Sequence, residues 1–145
     1  MPFKFRSHLF GTFRALFRPN LWQAYLVLLV VPIATIAVGL LVREYTTPYY
    51  IFHHDPDYAY LFNGISILNF VAPAHIDHPG TPLQVFMAVL LKLMHPLENV
   101  SAIIWDVLQD PEKHLVAASN VILIIVAAAV FAAGAYVHRV TGEVA

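Results

Sequence analysis

Apolar positions in this chain fall into runs of two lengths, and the contrast between them organises everything else. Leu21–Val42 is apolar apart from Gln23 and Thr35, and Leu115–Val137 is broken strongly only by Ser119 and Asn120. At about 1.5 Å of rise per residue, about 20 apolar residues in helical form cross a bilayer's hydrocarbon core. The pattern therefore predicts two transmembrane helices, at residues 21–42 and 115–137. Trp22 and Tyr25 sit where an interfacial aromatic belt belongs, and Pro32 predicts a kink. A secretory signal would carry a shorter apolar region followed by small residues. This run closes in Leu-Leu-Val-Arg-Glu, which reads as a retained anchor.

The shorter runs have helical spacing. In residues 1–20, Phe5, Leu9, Phe13, Leu16 and Phe17 alternate with Arg6, Arg14 and Arg18. This predicts either a basic amphipathic helix in the headgroup region or a plain charged flank of the first span. Residues 43–114 form the long segment between the spans. Within it Asp55-Pro56 is a helix start, with Asp as N-cap and Pro at the first helical position. Tyr58, Leu61, Phe62, Ile65 and Leu68 then make one apolar face, and the helix is expected to end near Asn69. Thr81-Pro82-Leu83-Gln84 reads as a capping box opening an apolar helix to about Met94. That helix is too short to span and contains Lys92, so it suits a surface-lying or re-entrant position. Asn99–Gln109 carries the stripe Val100, Ile103, Ile104, Val107 and Leu108, with Trp105 and Asp106 off it. Asp110-Pro111 repeats the cap-plus-proline start.

Composition agrees with a membrane class: 59% of the residues are hydrophobic and 12% charged, against about 25% charged in soluble domains. The absence of cysteine excludes disulfides and thiolate metal sites. A net charge of −1 with no basic patch argues against a nucleic-acid partner. Lys4, Arg6, Arg14 and Arg18 precede the first span, and His138-Arg139 follow the second. The positive-inside rule then places both termini in the cytoplasm and residues 43–114 outside. The expected fold is an all-α membrane protein: two transmembrane helices flank a long extracytoplasmic loop with short juxtamembrane amphipathic helices. Residues 138–145 form a cytoplasmic tail.

Chemistry-bearing side chains gather in the loop: His53, His54, Asp55, Asp57, His75, Asp77 and His78. Asp55 and Asp57 read either as helix-start residues, capping the helix and complementing its dipole, or as a general base or metal ligand. Imidazole and carboxylate suit a divalent ion such as Mn, Mg or Zn, with His54, His75 and Asp77 as candidate ligands. The helix starts at Pro56 and Pro82 each follow a polar cluster, and helix N-termini attract anions. A lipid-linked phosphate, offset by a metal or met by His78, fits such a place.

The order of these features resembles the N-terminal part of GT-C fold glycosyltransferases, the family of aminoarabinose transferases and protein mannosyltransferases. One span is followed by an acidic motif, Asp55-Pro56-Asp57-Tyr58, then by His78-Pro79-Gly80-Thr81-Pro82 before a short apolar helix. A second span closes on His138-Arg139-Val140-Thr141-Gly142. The family's common acidic pair is Asp-Glu and its second motif His-Pro-Pro or Lys-Pro-Pro; here the acidic pair is Asp-x-Asp and the second proline is displaced to Pro82. The resemblance implies a polyprenyl-phosphate-linked sugar donor, with Asp57 or Asp55 as catalytic base or metal ligand. It implies His78 at the donor phosphate and Tyr58 and Thr81 as further substrate contacts. The family carries many more spans, so it also implies further spans or partner subunits, a bacterial-type inner or plasma membrane, and little activity for these residues alone. Two other readings stay open: a two-span non-catalytic subunit of a larger complex, and a His/Asp metal-binding membrane protein.

Overall fold

The computed structural model describes residues 21–46, 57–74 and 81–142. Among them all regular structure is α-helical: α1 (Leu21–Leu28), α2 (Val30–Thr46), α3 (Asp57–Leu68), α4 (Thr81–Met94), α5 (Val100–Gln109) and α6 (Pro111–Thr141). The chain divides into two compact units. One holds the described residues up to Thr35 and from Val126 onward, and the other is Ile36–Ile125.

Two stretches are long and apolar enough to cross a membrane, Trp22–Tyr45 and Pro111–Thr141. Only 11% and 17% of their apolar windows are buried. The core helix of a soluble protein would be mostly covered. Here Val30, Leu41, Ile124 and Val137 are exposed along with many neighbours, an apolar surface of the kind that lipid or a partner protein covers. Both helices run beyond the expected limits of 21–42 and 115–137. The first continues through Arg43 and Glu44 to Thr46, and the second gains a turn at its start because Asp110 caps it at Pro111. Near Pro32, where a kink is expected, the Leu29 and Ile33 N–H groups keep their bonds to the Tyr25 and Leu29 carbonyls. Regular helix is interrupted at Leu29, because proline has no N–H to give the Leu28 carbonyl.

In the first unit Tyr25 packs against Phe131 and His138, with ring centroids 6.3 and 6.1 Å apart. The core of the second unit joins Tyr60 and Leu61 of α3, Met87 and Leu91 of α4, Ile103 and Val107 of α5, and Leu115 and Ala118 of α6. The α3–α4 approach is close because residue 64 is glycine: a Cβ there would lie 2.8 Å from Met87 Cβ and 3.1 Å from the Ala88 nitrogen. The expected face of α3 is right at Leu61, Ile65 and Leu68 and wrong at Phe62. Phe62 is exposed and stacks on Tyr58, while Tyr60 takes the inner place beside Gly64.

α3 ends as expected beside Asn69, by a Schellman closure. The Val71 N–H bonds to the Ser66 carbonyl and the Phe70 N–H to that of Ile67, with Phe70 itself left-handed at φ 54°. α5 and α6 meet with a single residue between them. Asp110 ends α5, its N–H bonding to the Asp106 carbonyl, and starts α6, its Oδ1 accepting from the Lys113 N–H. Asn99 caps α5 by accepting from the Ala102 N–H at 2.9 Å, and Ile103 and Val107 of the expected stripe are fully buried.

Candidate functional site

Three of the residues singled out in the sequence are described. Asp57 lies in the first turn of α3, half-buried, and interacts there with neighbouring groups. A carboxylate at that end complements the helix dipole. Tyr58 follows, its hydroxyl donating to a carboxylate oxygen of Glu112 in the first turn of α6. Thr81 is exposed at the start of α4, on a different element. Asp55, His54, His75, Asp77 and His78 lie outside the described residues, as does the amphipathic reading of residues 1–20. At the other polar interruption, Arg43 near the end of α2 donates to Oδ1 of Asn120 in α6.

The structure also assembles a cluster that the sequence reading did not single out. His95 follows α4, Asp106 stands on α5, and His114 stands on the first turn of α6. Asp106 Oδ2 lies 3.3 Å from His95 Nε2 and 3.0 Å from His114 Nε2. The two imidazoles stack with centroids 5.8 Å apart. His114 is fully buried and the His95 side chain is 10% exposed, while the Asp106 side chain is 33% exposed. The three donor atoms all fall within 4.8 Å of one another.

Each ring has a contact at its Nδ1 atom. His114 Nδ1 is 2.9 Å from the Asp110 carbonyl, which only accepts, so Nδ1 carries the hydrogen and Nε2 presents its other valence to Asp106. His95 Nδ1 is 3.3 Å from Glu98 Oε2, again an acceptor. Despite their short separations from Asp106, both Nε2 atoms are buried with no hydrogen-bond partner, because the approach is too oblique. Two buried imidazole nitrogens and one carboxylate oxygen thus lie within 4.8 Å of one another.

The Lys113 ammonium sits 3.1 Å from the same Oδ2. Its hydrogen bond and charge hold the Asp106 carboxyl below its ordinary value near 3.8, against the opposing effect of partial burial.

The signals for this cluster were faint. Asp106 departs from the α5 stripe, and His114 lies four residues beyond the Asp110 cap, but spacings of this kind match no ligand motif. They acquire meaning only once α4 ends at Met94 and α5 runs almost directly into α6. No protein-family model, no curated protein and no solved structure matches this chain.

Proposed function

We propose that this chain supplies the donor-facing acidic segment of an integral-membrane glycosyltransferase of the GT-C type, working with a polyprenyl-phosphate-linked sugar. An Asp57 carboxylate, or that of Asp55, takes the proton from an acceptor hydroxyl. The acceptor oxygen bonds to the anomeric carbon, and the bond from that carbon to the phosphate oxygen breaks. Polyprenyl phosphate leaves with the electron pair, and the anomeric centre inverts. His78 meets the donor phosphate, while Tyr58 and Thr81 position substrate. In this reading both termini are cytoplasmic and the acidic segment faces outward.

The observation that supports it is the hydrogen bond from Tyr58 to Glu112. It ties the start of α3, which carries Asp57, to the first turn of the long apolar helix α6; on this reading that end of α6 lies at the headgroup level, where a lipid-borne phosphate is met. The base role is tested by Asp57→Asn in membranes from cells expressing the intact gene, following transfer of labelled sugar from a polyprenyl phosphate. Losing a general base costs about 10²–10⁴-fold in rate. Full turnover by both Asp57→Asn and Asp55→Asn would refute the assignment. The reading as a metal-holding membrane protein is favoured by a different observation, the convergence of His95, Asp106 and His114.

A further inference from the structure

We propose that His95, Asp106 and His114 form a binding site for a divalent first-row transition ion of the zinc type, riveting the end of α4, the middle of α5 and the start of α6. The proposal stands apart from the glycosyltransferase reading and shares no residue with it.

The donor set comes first. Two imidazole nitrogens and one carboxylate oxygen are a zinc-type combination, with a fourth place left for water or a ligand oxygen. Magnesium and calcium favour oxygen sets and are poorly served by two nitrogens. The dimensions agree. Bonds of about 2.0–2.1 Å in a tetrahedral arrangement place neighbouring donor atoms about 3.4 Å apart. Asp106 Oδ2 is 3.3 and 3.0 Å from the two Nε2 atoms. A small outward movement of the partly exposed carboxylate admits the ion.

The second observation is independent of composition. Both Nε2 atoms are buried and have no hydrogen-bond partner. An orphaned buried polar atom is costly. Here two of them, on side chains nine-tenths buried or more, lie 3.3 and 3.0 Å from one carboxylate oxygen without donating to it. Around a metal ion this geometry is expected, because each lone pair points at the ion and obliquely to its neighbouring ligands.

The supporting shell has the same character. Metal-bound imidazoles regularly give their other N–H to a carbonyl or carboxylate. His114 does so to the Asp110 carbonyl at 2.9 Å, and His95 has Glu98 Oε2 at 3.3 Å. The Lys113 ammonium, 3.1 Å from Asp106 Oδ2, is a cation already seated at the shared oxygen. It is exposed and on a flexible stem, so a divalent ion displaces it. Lys113 therefore competes with the metal.

The test uses the full chain, expressed without a polyhistidine tag, purified in detergent and stripped with a chelator. Zn²⁺ is titrated calorimetrically, and Co²⁺ serves as an optical probe. Wild type is expected to take up one equivalent of Zn²⁺, to give the visible absorption of four-coordinate Co²⁺, and to retain Zn²⁺ in excess Mg²⁺. His95→Ala and Asp106→Asn are each expected to weaken Zn²⁺ binding by about 100-fold or more, since even loss of a supporting contact costs 10–100-fold. Asp106→Asn is a near-isosteric change of a partly exposed side chain, and its helical circular dichroism reports whether the fold persists. Lys113→Met is expected to tighten binding several-fold, and a His75→Ala/His78→Ala double variant to leave it unchanged. The site is overturned if wild type takes up no Zn²⁺. It is equally overturned if affinity survives in His95→Ala and Asp106→Asn, if Lys113→Met leaves it where it was, or if the double variant abolishes it.

Discussion

Gly64 shows how much of the second unit depends on one missing carbon. A Cβ at that position would press on Met87 Cβ and on the backbone nitrogen of Ala88. Backbone cannot step aside as a side-chain tip can, so the strain must spread through the α3–α4 interface. Gly64→Val is therefore expected to destabilise the protein by about 1–3 kcal/mol, the usual cost of overpacking, measured by thermal unfolding in detergent. At Gly39 a Cβ would meet only the Leu123 methyls, at 2.7 and 2.9 Å, which sit at the end of a flexible side chain. Gly39→Ala provides the milder comparison. Nothing in the sequence marked Gly64 as special, because a glycine between Asn63 and Ile65 looks the same whether or not another helix lies against it. The exchange of Phe62 for Tyr60 on the inner face has the same origin: a helix's apolar stripe is readable to within one position, and the close approach at Gly64 decides which side of it goes in.

Helices as elements were far more legible. Their starts are written in side chains whose hydrogen bonds are local: Asn99 before α5 and Asp110 before α6 both act as the caps their types suggest. Replacing the cap oxygen of Asp110 is expected to cost about 1 kcal/mol in Asp110→Ala and little in Asp110→Asn, since Asn caps as well as Asp. Chemical unfolding of the two variants side by side checks this. What the pattern did not convey is how elements meet. The His95–Asp106–His114 cluster exists because three helices converge, and the spacing of its members reflects the lengths of α5 and its joints instead of any ligand motif. By contrast the place of Asp57 in a helix's first turn was legible from sequence, because an acidic residue just after a proline is a local signal. Glu112, the partner of Tyr58, was not found, being brought in by the start of α6.

For the molecule as a whole, the apolar runs predicted the two long helices, and their poor burial is what a lipid-facing surface requires. Which side of the membrane receives residues 43–114 is a separate matter, argued mainly from the cationic cluster before the first span. The chain contains no cysteine, so a single introduced thiol is unique without further engineering. In the proposed orientation Asp57→Cys in intact cells is expected to react with a membrane-impermeant maleimide added outside, and Lys4→Cys only after permeabilisation. Labelling in the opposite order would place the acidic segment in the cytoplasm and remove it from any outward-facing donor.

The one-residue hinge at Asp110 leaves no slack for mutation by length. Each residue advances a helix by about 100°, so a single insertion or deletion there would swing the whole second apolar rod out of phase with α5. His114 would turn away from Asp106 and Glu112 from Tyr58 in the same stroke. Tolerance of indels should thus be poorest at this joint, even though point changes on its solvent side are cheap.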